Sequence, residues 1–387
     1  MSLFTPEMRL NPFPMYAQMR RHQPVTYLEP LGTWAVFGYD HVKTVFSDYT
    51  RFSSQISHLF SDPEKGVSLV FSDPPKHTML RALVSKAFTA AAIARMEPRI
   101  TALTHELLDK VAAGGRLDVV NDLSTPLPVI VIAEMLGAPT QDREQFKVWS
   151  NAEAELFNAV VSGNVPGHLI QADLELEGYI KQLAEQRRKA PKEDLISALV
   201  AAEVEGEKLS EGDLIQFVKL LLVAGNETTT TLIGNAVLTL LEHPDQLALL
   251  RENPALISSA IEEVLRFRSP VQAQFRLATQ DLELGGQAIK AGDKVAAFLG
   301  SANRDEAKFA NPDRFDILRD PNHHVSFGHG IHFCLGAPLA RLETKVALTA
   351  LLQRFGSWER ADNEPLQMVP GLVMWGLSTL PIRVTTT

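Results

Sequence analysis

Hydrophobic positions recur along most of this chain at the spacing of one helix face, and they predict a mainly α protein. After Pro98, the residues Ile100, Leu103, Leu107 and Val111 fall on one stripe that ends at Gly114-Gly115, so a helix of about 15 residues is expected there. The longest such segment runs from Ser210 to His243 and carries Leu214, Val218, Leu221, Leu222, Leu232, Val237 and Leu241. Ser210 with Asp213 resembles a capping pair at its start, and Pro244 closes its end. Further helices are predicted from Pro254 to about Phe267 and from about Ala337 to Phe355. Between Phe275 and Gly300 the pattern shortens to alternating stretches broken by Gly285-Gly286 and Ala291-Gly292-Asp293, which predicts a small antiparallel sheet. The stretch from Arg304 to Gly330 is irregular. The tail, with Pro370-Gly371 and Thr379 to Val384, predicts a closing hairpin. No internal repeat or Ser/Gly linker interrupts the chain, so residues 1–387 are expected to form a single domain.

Composition narrows the partners. An apolar share of 45% with 21% charged residues suits a globular chain with a large core. The net charge of -9 argues against a nucleic-acid partner, which needs basic surface to displace counterions. The longest apolar runs, Pro128–Ile132 and Leu220–Ala224, fall far short of the roughly 20 residues that cross a bilayer, so no membrane anchor is expected. Pro6, Arg9, Pro12 and Pro14 interrupt the region where a signal peptide needs an apolar stretch. A cytoplasmic location is expected. One cysteine, Cys334, leaves no intrachain disulfide, which suits a reducing compartment.

A lone cysteine is ordinarily a small buried hydrophobe, but the surroundings of Cys334 point to chemistry. Gly328, Gly330 and Gly336 free the backbone around it and let a flat ligand approach. A helix is predicted to start directly after it, with Pro338 in the first turn. There the unpaired N–H groups and the positive end of the helix dipole favour thiolate over thiol. Such a thiolate could join His329 and His332 in a zinc site, although structural zinc wants four ligands and no second cysteine exists. It could act as a nucleophile beside a histidine, although no local signature for that is present. Or it could be the axial ligand of a haem iron.

The loop Phe327-x-x-Gly330-x-x-x-Cys334-x-Gly336 resembles the haem-binding signature of the cytochrome P450 family. Other segments agree in order and spacing over nearly the whole length. Glu263-Val-Leu-Arg266 is similar to the family's Glu-x-x-Arg pair, and Pro312-Asp-Arg314-Phe315 to the segment whose arginine completes that ion-pair triad. Ala224-Gly225-Asn226-Glu227-Thr228-Thr229 resembles the oxygen-activation motif, and Asp73 to Arg81 the start of the helix that meets the haem propionates. The resemblance implies haem b held by Cys334 in a loop containing Phe327 and Gly330, with His77, Arg81, Arg276 and His332 on the propionates. It also implies that Ala224 lies beside the haem, that Thr228 hydrogen-bonds the oxygen being activated, and that Glu227 relays protons from solvent. Glu263, Arg266 and Arg314 are then a buried network supporting the cysteine loop. Gly225 is read as opening the helix backbone to a ligand.

The implied activity is O2-dependent hydroxylation or epoxidation of a hydrophobic small organic molecule. Electrons would come from a separate ferredoxin or flavodoxin with its NAD(P)H-dependent reductase. Arg341, Lys345 and Lys86 are candidates for steering such an acidic partner. The family's substrate-contact regions correspond to residues such as Ile56, Leu59, Phe60, Leu69, Val70, Phe157, Val160, Leu222, Val271, Phe275, Met374 and Trp375, an apolar set. Alternatives are a haem-thiolate sensor or carrier without turnover, and a peroxide-driven or isomerising relative. The retained Glu227-Thr228 pair opposes the isomerising chemistry.

Overall fold

The structure, a computed structural model, describes residues 5–56, 66–110, 115–162, 165–362, 364–369, 371 and 373–386. The chain divides into two compact units. One takes Met1–Ile56, Thr101–Ser124 and Thr228–Thr387, and the other Ser57–Ile100 and Thr125–Glu227. Helices Glu97–Asp109 and Glu211–Glu242 contribute residues to both.

The first unit holds the larger sheets. Its five strands run in the order Val25–Leu28, Thr33–Val36, Lys294–Ala297, Gln274–Ala278 and Phe52–Ser53. The predicted antiparallel pair is present, with Val295 opposite Arg276. The sheet is nonetheless mixed, because Lys294–Ala297 also lies parallel to Thr33–Val36, with Ala296 opposite Ala35. Gly285 and Gly286 form a separate hairpin between Leu282–Leu284 and Gln287–Ile289, and their positive φ angles (57° and 76°) are what a two-residue turn demands. Val36, Val42, Phe46, Phe52, Val295 and Leu299 pack into one core beside the sheet.

The expected tail hairpin is corrected. Pro381–Thr386 pairs with Phe355–Arg360 and Arg116–Asp118, not with the segment just before it. On either side of residue 370, which lies outside the described residues, Met368 and Leu377 form a bridge, Val369 donates to Gly376 O at 2.9 Å and Ser378 to Gln367 O at 2.8 Å. A strand with Ile382 fully buried, entered from fully buried Leu380, gains more from two distant partners than from a short local turn. Val111 and Gly114 also lie outside the described residues.

Among the described residues, the strands of the second unit are the pair Glu203–Val204 and Glu207–Lys208. Its helices include Lys76–Ala87, Pro126–Met135, Arg143–Ser162, Gly167–Lys189 and most of Glu211–Glu242. The predicted cap is in place, with the Asp213 amide donating to Ser210 Oγ at 3.0 Å. Among the described residues, no helix is long and apolar enough to cross a membrane.

Candidate active site

The loop around Cys334 is built by backbone geometry. Gly328 and Gly330 have φ of +73° and +72°, a region that side-chain-bearing residues avoid. The Cys334 amide donates to Phe327 O at 2.9 Å, and the Gly328 amide to Val325 O at 2.8 Å, closing the loop on itself. A Cβ on Gly330 would stand 2.6 Å from Phe46 O, so the glycine serves a close approach of two backbones. Helix Ala337–Arg354 follows at once, with Pro338 in its first turn, and leaves the Cys334 side chain exposed at its N-terminal end. Among the described residues, no group of three or more His, Cys, Asp or Glu side chains is placed to hold a metal ion, so the zinc alternative gains no ligand set.

Behind the loop the ion-pair network differs from expectation. Arg266 donates twice to Glu263, both at 2.8 Å, and both side chains are fully buried. The third member is Arg319, whose Nε reaches Glu263 at 3.1 and 3.2 Å. Arg314 points outward, 67% exposed, beside Asp316, and contributes only its carbonyl to Arg266 and Arg319. The irregular path from Ala310 to Arg319 places the later arginine inside.

Arg341 is likewise committed. It makes two hydrogen bonds to Glu262, at 2.7 and 2.8 Å, and its guanidinium lies 4.5 Å from the Phe327 ring centre. Its charge is paired within the fold, while Lys345 is exposed. In the other unit, Lys86 donates to Glu203 O.

Of the residues expected on propionates, Arg276 is buried in its strand, 5.3 Å from the Phe46 ring centre. Arg276 and Gly330 thus pack on the same residue. His332 is half-buried in the short turn Gly330–His332. His77 and Arg81 share a face of Lys76–Ala87 in the second unit. Burial, reinforced by the charge of Arg81, pushes the His77 imidazolium pKa down against the pull of Asp73.

Ala224, Glu227 and Thr228 follow one another on Glu211–Glu242, with Ala224 exposed and the other two half-buried. Burial pushes the Glu227 carboxyl above its ordinary value. At Gly225 a Cβ would stand 2.7 Å from Ile132 Cδ1, so the glycine also gives room to the tip of that side chain.

Several buried polar groups were not anticipated. Glu343 is buried, and its pKa is pushed up to about 8 by burial. Lys219 bonds Asp173 and Glu177, with Glu153 alongside. The helical period held the signal, because Glu343 lies on the stripe Leu339, Glu343, Ala347, all buried. Lys219 likewise lies between buried Ile215 and Leu222. Of the apolar residues expected to meet substrate, Leu59, Phe60 and the side chains of Phe157 and Val160 lie outside the described residues. Trp375 is buried, donates to Leu10 O at 3.2 Å and stacks with Arg268 at 4.7 Å, so it packs the interior of its unit.

Known proteins extend this picture. The family model described as Cytochrome P450 matches residues 7–385. The cytochrome P450 monooxygenase PikC of Streptomyces venezuelae is 40% identical, over 96% of this chain and 91% of its own. The structure of CYP109Q5 from Chondromyces apiculatus superposes with a TM-score of 0.92 at 42% identity, covering 99% of this chain and 97% of that one. CYP109E1 from Bacillus megaterium, solved in complex with testosterone, gives a TM-score of 0.89 at 43% identity, over 96% and 99%. The mainly α fold with its small sheets is that of the bacterial haem monooxygenases. The chain belongs to the cytochrome P450 family.

Proposed function

We propose that this protein is a cytoplasmic haem b monooxygenase, acting as one domain, that hydroxylates or epoxidises a hydrophobic small organic molecule. Cys334 is the iron ligand, and the observation that carries this is its place in a glycine-built loop at a helix start. The donor set fits the cofactor. Cys334 would offer one soft thiolate for iron, and Arg276 and His332 of the first unit with His77 and Arg81 of the second would be the donors for the haem propionates. Phe327 and Gly330 fix the loop, and Ala224 leaves the helix surface low beside the cofactor.

Bound haem would supply the reductive activation of O2. The chain supplies protons and their direction. Because burial raises its pKa, the Glu227 carboxyl holds a proton at a pH where an exposed carboxylate has lost most of its own. Thr228, the next residue, offers a hydroxyl that donates a hydrogen bond at the reacting oxygen and is resupplied from the acid. Electrons come from a ferredoxin or flavodoxin and its NAD(P)H-dependent reductase, with Lys345 a docking contact. Testosterone is the first substrate to try, because the relative CYP109E1 was solved with it.

The test is the ratio of hydroxylated product to NAD(P)H consumed, with hydrogen peroxide assayed in parallel. Thr228→Val keeps the shape and removes the donor, so reductant consumption continues while much of the oxygen appears as peroxide. Glu227→Gln slows oxygen-dependent turnover overall. Unchanged coupling in Thr228→Val contradicts the assignment of this helix turn.

A further inference from the structure

Helices Arg143–Ser162 and Glu211–Glu242 meet across a polar seam. Lys219, Leu222 and Asn226 share one face of the second helix, and Ser150 and Glu153 share one face of the first. Ser150 and Asn226 are both buried. Ser150 Oγ accepts from Asn226 Nδ2 at 2.8 Å and donates to Leu222 O at 3.4 Å. In a regular helix Leu222 O is the acceptor of the Asn226 amide. One hydroxyl therefore holds both ends of a single turn, by its carbonyl and by its side chain. Ile132 fills the space where a Cβ on Gly225, within the same turn, would stand. Two buried polar side chains in a helix contact cost stability relative to apolar packing, and a second donor on a helix carbonyl tends to bend the helix. The next residue is Glu227.

We propose that Ser150 and Asn226 are positioning residues for Glu227. Their bracket sets the rotation and height of the 222–226 turn, and so aims the carboxyl at the point of proton delivery. This rests on the reading of Glu227 as the proton-delivering acid. The partner helix, Arg143–Ser162, thereby gains control over oxygen chemistry without supplying a reacting group.

The experiment uses haem-loaded protein, reduced in advance, with excess reduced plant-type ferredoxin, mixed rapidly with oxygenated buffer; the rate of the oxygen-dependent phase is read. Ser150→Ala and Asn226→Ala should each slow that phase about threefold to tenfold, with an unchanged carbon monoxide spectrum, and Ser150→Thr should restore it. Adding Ser150→Ala to Glu227→Gln should slow it no further, because the bracket acts through the acid. An independent, multiplicative loss in the double variant overturns the proposal, as does an unchanged rate in Ser150→Ala while Glu227→Gln is slow. An unchanged rate in Glu227→Gln overturns the acid reading itself. If Ser150→Ala does not hold haem, Asn226→Ala, alone and combined with Glu227→Gln, decides the same questions.

Discussion

Two buried charged clusters, one in each unit, behave oppositely. Around Glu263 two guanidinium groups share one carboxylate, whose oxygens are fully supplied with donors. Its carboxylate accepts from Arg266, Arg319, Asn322 Nδ2 and the Asp316 amide, and Arg266 spends its other N–H groups on the carbonyls of Asn303, Pro312 and Arg314. Around Lys219, three carboxyl groups share one ammonium. Burial first, and then the hydrogen bond and charge of Asp173, push Glu153 up to about 8. Both clusters are shielded from water, so burial alone does not set their behaviour. The balance of donors to acceptors does. The first cluster is a fixed support, and the second keeps a proton at neutral pH.

The sharpest way to break this comparison is Glu263→Gln, which leaves a buried Arg266 uncompensated. It should lower unfolding stability by about 3–5 kcal/mol, read by denaturant titration, and weaken haem retention. A cost below 1 kcal/mol would show the network to be incidental.

Next comes the pH dependence of stability. Glu153 and Glu343 each have a folded-state value near 8 against an ordinary 4.5, so the folded state binds their protons more tightly. The stabilisation is complete below 4.5 and is lost as pH rises towards 8. Glu153→Gln and Glu343→Gln should therefore become more stable than the parent as pH climbs through that window, each by on the order of 1–2 kcal/mol. Equal slopes in parent and Glu153→Gln would remove the contrast between the clusters. The smallest effect belongs to Arg314→Ala, within about 0.5 kcal/mol, because only its carbonyl enters the network. Arg319→Ala should cost about 1–3 kcal/mol. The reverse ranking would restore Arg314 to the triad.

The contrast also explains what the sequence made legible. Local devices were readable: the Ser210 cap, the long helix after it, the glycine spacing around Cys334 and the i,i+3 pair Glu263–Arg266. Arg319 was not, because it lies in a stretch without period, where neither spacing nor pattern tells which arginine turns inward. The parallel pairing of Thr33–Val36 with Lys294–Ala297 joins four-residue strands from opposite parts of the chain, which local alternation cannot reveal. At Gly225 the sequence does not show that Ile132 also occupies the space beside the missing Cβ. Arg341 looked like free charge until Glu262, 79 residues away in sequence, was found holding it.

The most direct test of the whole account is the absorption spectrum of the reduced protein under carbon monoxide. The parent should show the strongly red-shifted band of thiolate-ligated haem, and Cys334→Ala should lose it. No other cysteine exists to replace the ligand. A band that survives in Cys334→Ala would contradict the assignment of Cys334 and, with it, the reading of the loop.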